Sequence, residues 1–117
     1  MKFVRFRTRG GRSGWGWLDQ RDETLVREPL GALTGAPLEA HLARGMADLL
    51  KEAGRAETTG HELAALRLEA PLRRPSKFLA VGRNYREHAA ESGSQVPDQP
   101  MIFGIMPSAI GGPNEDI

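Results

Sequence analysis

The sequence predicts an α+β protein, in which a small N-terminal α/β unit is followed by a second part of short strands. Three observations carry that prediction. Short runs of alternating apolar and polar residues, punctuated by glycine, occupy positions 3–29; one helical stripe of leucines lies between Pro37 and Ala53; and six of the eight prolines fall from Pro71 onward, separating short apolar runs.

Taken in order, Val4 and Phe6 alternate with Arg5 and Arg7, the period of two expected of a half-buried strand, with Phe3 out of phase. This segment is expected to be an edge or hairpin strand. Gly10-Gly11 signals a turn, and Gly14-Trp15-Gly16-Trp17-Leu18 places both tryptophans on one face of a second strand. Such a pair could stack on a base or a sugar, but it is far more often part of a core. Leu25-Val26 suggests a third strand.

Leu38, Leu42, Met46, Leu49 and Leu50 then fall at helical spacing, with Glu39, Arg44, Asp48 and Lys51 between them. The expected element is one amphipathic helix, started by Pro37 and ended near Gly54. His41 lies beside its apolar stripe and is read as a surface or boundary residue. Thr59-x-x-Glu62 has the form of a capping box and would start a short helix through Leu66, with His61 in its first turn and no chemistry assigned to it. The change in composition at Ala70 divides the chain into a small domain, 1–70, and a second part, 71–117. Within the latter, Phe78 to Gly82 suits a buried strand, Arg86 to Ser92 a short helix stopped by Gly93, and Met101-Ile102-Phe103 another strand.

Composition removes several classes of function. Sixteen Lys and Arg against fifteen Asp and Glu leave a net charge of +1, which supports neither a strongly basic nucleic-acid binder nor an acidic tail. The absence of cysteine excludes a disulfide framework, a thiolate zinc site and a cysteine nucleophile, and suits a reducing cytoplasm. Neither a signal peptide nor a membrane span is recognisable, so a cytoplasmic protein without membrane partners is expected. Arg5, Arg7, Arg9 and Arg12 could line one strand face and meet an anion such as RNA, but such arginines also block edge pairing, and no nucleic-acid partner is expected.

The stretch that carries chemistry runs from Ser76 to Glu91. It places a buried-type strand, a Gly/Asn turn and a short helix in series, with His88 and Glu91 three residues apart. Positions i and i+3 are neighbours on one helix face, so Glu91 can orient the His88 imidazole or accept its proton. Such a pair can serve as a general base toward water or a C–H acid. Arg83, at the strand end, could grip a substrate carboxylate with its planar fork. Alone, the H-x-x-E spacing is weak and is far more often that of two solvated residues on a helix surface. No H-E-x-x-H helix, G-x-S-x-G elbow, Walker loop or G-x-G-x-x-G turn is present.

Pro75-Ser76-Lys77 through Glu91, then Pro97-Asp98-Gln99-Pro100-Met101-Ile102-Phe103, Pro107-Ser108-Ala109-Ile110 and Gly112-Pro113-Asn114, resemble the fumarylacetoacetate hydrolase family in order and spacing. Lys2-Phe3-Val4-Arg5-Phe6 and Leu68-x-x-Pro71-Leu72 are similar, more loosely, to that family's small N-terminal domain. The resemblance implies the truncated start of a fumarylacetoacetate hydrolase-type catalytic domain after residue 71. It also implies a metal-dependent hydrolase, lyase or isomerase of acylpyruvates and related 2-oxo acids, using Mg²⁺ or Mn²⁺ and forming a homodimer when full length. His88 and Glu91 match the family's catalytic dyad, and Arg83 matches an arginine that helps bind the substrate carboxylate.

Two departures from the family pattern follow. The Glu-x-Glu pair and later acidic residue that hold the metal would lie after Ile117, and Glu115-Asp116 point to opposite sides of an extended segment, so this chain alone is expected to bind no metal and to lack turnover. Ile105 stands where family members commonly carry lysine. The alternative is a non-catalytic remnant, or a binding or oligomerisation module with the family's N-terminal fold. In either case, a second part lacking strand partners should expose Phe78, Leu79, Val81, Ile102 and Phe103.

Overall fold

The computed structural model of the chain describes residues 1–82, 93 and 99–114. They belong to two compact units, one drawn from Met1–Arg73 and Gly111–Ile117, the other from Arg74–Ile110. The architecture is mixed α/β, with five antiparallel strands and two helices in the first unit.

Strands β1 (Phe3–Thr8), β2 (Ser13–Leu18) and β3 (Leu25–Pro29) follow one another as antiparallel neighbours. Helices α1 (Leu38–Arg44) and α2 (Met46–Ala53) come next, and strands β4 (Thr58–Glu62) and β5 (Leu66–Glu69) complete a sheet of order β4-β3-β2-β1-β5. β1 therefore has a partner on both sides, β2 and β5, and is a hairpin strand rather than an edge.

The connection from β4 to β5 dictates the shape of this sheet. The two strands are its opposite edges, roughly 19 Å apart if the sheet were flat with spacings of about 4.8 Å. Glu62 pairs with Leu25 near one end of the strands, whereas Leu66 pairs with Thr8 near the other. Only the 3-10 turn Leu63–Ala65 joins them, and four residue steps reach no more than roughly 14 Å. The sheet must therefore coil until its edges approach, as a partly closed barrel does.

Coiling explains the Gly-Trp-Gly-Trp pattern of β2. Trp15 and Trp17 share one face with Phe3 and pack under Leu33, Leu38, Leu49 and Ala53 from the 3-10 turn Gly31–Gly35 and the two helices. Gly14 and Gly16 face the other way, where space is lacking. A Cβ on Gly16 would strike the Arg27 carbonyl and lie 2.9 Å from its carbon and 3.2 Å from Glu28 Cα. Phe6 and Val26 are fully buried. Both faces of β1 are thus used, which accounts for Phe3: it is out of phase with Phe6 because it belongs to the tryptophan side, 6.3 Å from Trp15 and 6.4 Å from Trp17 between ring centroids.

Two expected helices are corrected. The single helix over Pro37 to Ala53 is two, broken at Gly45, whose φ of 121° lies outside right-handed helical space. Pro37 and Gly54 do flank the pair. The helix expected after Thr59 is instead strand β4, paired with β3 along Thr58 to Glu62. Two β-branched threonines and an interior glycine disfavour a helix there, and the long-range ladder outweighs the capping-box pattern.

In the second unit, β6 (Leu79–Gly82) pairs antiparallel with β7 (Met101–Gly104), and the Ile105 amide donates to Phe78 O at 2.8 Å to extend the ladder. Both strands were expected, the first as Phe78 to Gly82, and Phe78 falls just outside β6. Leu79, Val81, Ile102 and Phe103 are exposed as foreseen, Ile102 to 62%. Phe78 is half-buried.

Candidate functional site

His88, Glu91 and Arg83, the residues for which chemistry was predicted, lie outside the described residues, as do the expected helix from Arg86 to Ser92 and the Glu115-Asp116 pair. The described strands flank that segment in sequence. β6 ends at Gly82, immediately before Arg83, and the chain is next described continuously from Gln99 into β7. Gly82 lies across from Met101, and a Cβ there would come within 3.3 Å of Met101 Cε and Phe103 Cε1. Ile105, in the position where lysine was expected, is half-buried just past β7.

Among the described residues, one polar cluster joins Arg12, Glu28 and His61. Glu28 lies on the same phase of β3 as Val26, so its carboxylate is directed to the tightly coiled side of the sheet. There Arg12 Nη1 and Nη2 donate to its two oxygens at 2.5 and 2.8 Å. His61 of β4 approaches Oε2 at 2.7 Å. A carboxylate only accepts, so Nε2 carries the hydrogen. The His61 ring packs against Phe6 with centroids 5.5 Å apart. The Arg12 hydrogen bond holds the Glu28 carboxyl below the ordinary carboxylate range, against the opposing effect of burial and with help from His61.

A second cluster crosses from β1 to β5. Arg5 Nε and Nη2 donate to Glu69 Oε2 at 3.0 and 2.7 Å, and Arg7 donates from the same pair of nitrogens to Oε1 at 3.0 and 2.9 Å. Burial pushes the Glu69 carboxyl up, but the hydrogen bonds from the two arginines outweigh it and its pKa is lowered. Arg5, Arg7 and Arg12, offered by sequence as an anion-binding row, are therefore committed to the chain's own carboxylates.

His41 is buried rather than at the surface. It is 5% exposed, its ring lies 5.3 Å from that of Trp15, and Nε2 donates to Leu33 O at 3.1 Å. It acts as a polar pin between α1 and the preceding 3-10 turn. His61, assigned to a helix, is a strand residue partnered by a carboxylate. Sequence reasoning passed over Glu28 and Glu69. The signal for Glu28 was its place on the buried phase of a strand, where an acid must find a cation.

Among the described residues no three His, Asp or Glu side chains converge as metal ligands. These residues alone do not fit the metal that the resemblance implies. No described helix is long and apolar enough to cross a membrane.

No protein-family model matches the sequence. The chain is similar to proteins described as "Putative hydrolase" from several Burkholderia species. Identity is 39% over 87 residues with that of Burkholderia multivorans, and 38% over 87 residues with those of Burkholderia cenocepacia and Burkholderia ambifaria. Each match covers 68% of this chain and 31% of the relative, so the chain spans about a third of the length of the curated relatives it matches. The comparison places the chain beside hydrolases.

Proposed function

We propose that this chain is the N-terminal part of a fumarylacetoacetate hydrolase family enzyme, a metal-dependent hydrolase, lyase or isomerase of acylpyruvate-type 2-oxo acids. The observation that carries the reading is the ordered series of motifs from Pro75 to Asn114, with His88 and Glu91 three residues apart after Gly82-Arg83-Asn84-Tyr85. Similarity to hydrolases over 68% of the chain supports it.

In this reading Arg83 binds the substrate carboxylate through its fork. His88 accepts a proton from water or from the carbon acid, and Glu91 orients the imidazole and stabilises its protonated form. Mg²⁺ or Mn²⁺, held by carboxylates beyond these residues, would supply a Lewis acid for the 2-oxo group. Residues 1–117 alone would not turn over.

The test compares residues 1–117 with the complete product of the reading frame that encodes them. Each is assayed on acylpyruvates and oxaloacetate with Mg²⁺ or Mn²⁺. Turnover by the complete product that is lost in His88→Ala supports the proposal. EDTA-sensitive turnover by residues 1–117 would overturn the placement of the metal ligands, and an inactive complete product that stays inactive as Ile105→Lys would favour a non-catalytic module.

A further inference from the structure

We propose that the first unit carries a separate binding cleft for a small carboxylic acid with an apolar body, between the β2–β3 end of the sheet and the segment leading into α1. The cleft holds about 350 Å³, at the small end of the range for ligand sites. Its apolar wall is Trp15, Pro37 and Leu38, and three arginines, Arg5, Arg12 and Arg73, line it together with two acids, Glu28 and Glu39.

The bonding of these groups decides which charge is left over. Arg12 and Glu28 satisfy each other in a bidentate pair. Glu39 Oε1 accepts from the backbone amide of Arg73 at 2.6 Å, which anchors the chain at that residue and fixes where its side chain begins. Arg5 is held by Glu69 through Nε and Nη2, while its Nη1 is buried without a hydrogen-bond partner. The Arg73 guanidinium makes no side-chain ion pair among the described residues. Glu28 and Glu69 thus occupy Arg12 and Arg5, the Glu39 carboxylate and the Arg73 guanidinium remain, and Arg73 is the cationic donor free to close on a ligand.

The same features choose the class of anion. A guanidinium fork accepts either a carboxylate or a phosphate. Two carboxylates already stand at this cleft, and they repel a dianion about twice as strongly as a monoanion. The indole, proline and leucine wall offers burial to a carbon skeleton, which inorganic phosphate lacks. An aryl or short alkyl carboxylate satisfies both conditions. The site is independent of the proposed His88/Glu91 chemistry, because no residue is shared.

Trp15 provides a local reporter. Its indole N–H donates to Ala36 O at 3.1 Å in the wall of the cleft, whereas Trp17 does not border it. The experiment is a titration of the whole chain with benzoate, followed by the two indole N–H resonances in proton–nitrogen correlation spectra. The expected result is a saturable, salt-sensitive shift of the Trp15 signal with little movement of Trp17. Arg73→Gln should weaken binding by roughly two- to fivefold, the range of an exposed ion pair. Arg55→Gln, which removes an arginine outside this cleft, should leave it unchanged.

Three results would overturn the proposal: no saturable shift of Trp15, equal weakening by Arg55→Gln and Arg73→Gln, or saturation by inorganic phosphate but not by benzoate. Both variants alter solvent-exposed side chains, so an unchanged thermal melt separates loss of binding from loss of fold. A failure here leaves turnover by the complete product untouched, and loss of that turnover leaves the titration untouched.

Discussion

Gly16→Ala tests the coiled sheet at its tightest point. Gly16 faces Val4 on β1, while on its other side the backbone of β3 rises over it. The added methyl would lie 2.9 Å from the Arg27 carbonyl carbon and 3.2 Å from Glu28 Cα, closer still to the carbonyl oxygen. Ordinary carbon contacts fall at about 3.5–4.0 Å, so relief requires β2 and β3 to separate. That motion would disturb the Trp17–Arg27 and Leu18–Val26 register pairs and the Glu28 carboxylate. Overpacking costs about 1–3 kcal/mol, and a clash with backbone, which cannot rotate away, belongs near about 3 kcal/mol. For a domain of this size, 1 kcal/mol moves Tm by about 4–8 °C, giving an expected fall of about 12–24 °C. Thermal melts followed by tryptophan fluorescence measure it directly, because both indoles sit in the core against this strand. Gly35→Ala is the control: no atom lies within 4 Å of its added methyl. If Gly16→Ala melted within a couple of degrees of Gly35→Ala, the close approach of β3 to Gly16 would be wrong, and with it the coiling.

Other substitutions address the helix break, the ionic clusters and the proposed chemistry. Gly45→Ala should destabilise by about 1–2 kcal/mol, because φ of 121° is costly for any residue with a Cβ; an unchanged melt would mean that α1 and α2 can run as one helix. The Glu28 and Glu69 carboxyls are lowered in the folded protein, so their stabilising contribution is complete above the ordinary carboxylate value near 4.5 and is lost as pH falls from there through the folded values. Glu28→Gln should lower stability at neutral pH by about 1–3 kcal/mol and flatten that acid dependence in urea unfolding series; a parallel loss at every pH would show that shape, not charge, is what Glu28 supplies. In the complete product, His88→Ala should reduce kcat by about 10²–10⁴-fold while leaving the melt unchanged, and Ile105→Lys should raise turnover if a cation at that position supports the site. Equal kcat for His88→Ala and the parent would remove the dyad from the mechanism.

The strands that sequence revealed are those whose burial follows a local period. Val4 and Phe6, the two tryptophans, Leu25 and Val26, and the apolar runs at 79–82 and 101–104 each announce themselves within five or six residues. β4 and β5 do not. Thr58 to Glu62 carries no alternation, and its extended state depends on a partner some thirty residues away, as in Val26 opposite His61. The break at Gly45 was hidden for a related reason. Leu38, Leu42, Met46 and Leu49 remain in helical phase across it, so the stripe looks continuous although the backbone is not. Leu38 and Leu49 carry the two helices into the same core, whereas Met46 and Leu50 of the same stripe stay exposed.

Candidate sites divide along the same line. His88 and Glu91 are visible because i and i+3 lie together on any helix, so the proposed dyad requires only that a helix form there. Arg12, Glu28 and His61 are invisible to that reasoning, since 16 and 33 residues separate Glu28 from its partners and two strand pairings must form before they meet. What can be read locally is the demand rather than the answer. An acid on the buried phase beside Val26, like one closing β5 after Leu68, has to be met by a cation. The register decides which: Arg5 falls opposite Glu69, and His61 falls opposite Val26, two positions from Glu28's own partner Thr59. The anions were legible as unsatisfied requirements, and only the coiling of the sheet made particular arginines and a histidine the ones that meet them.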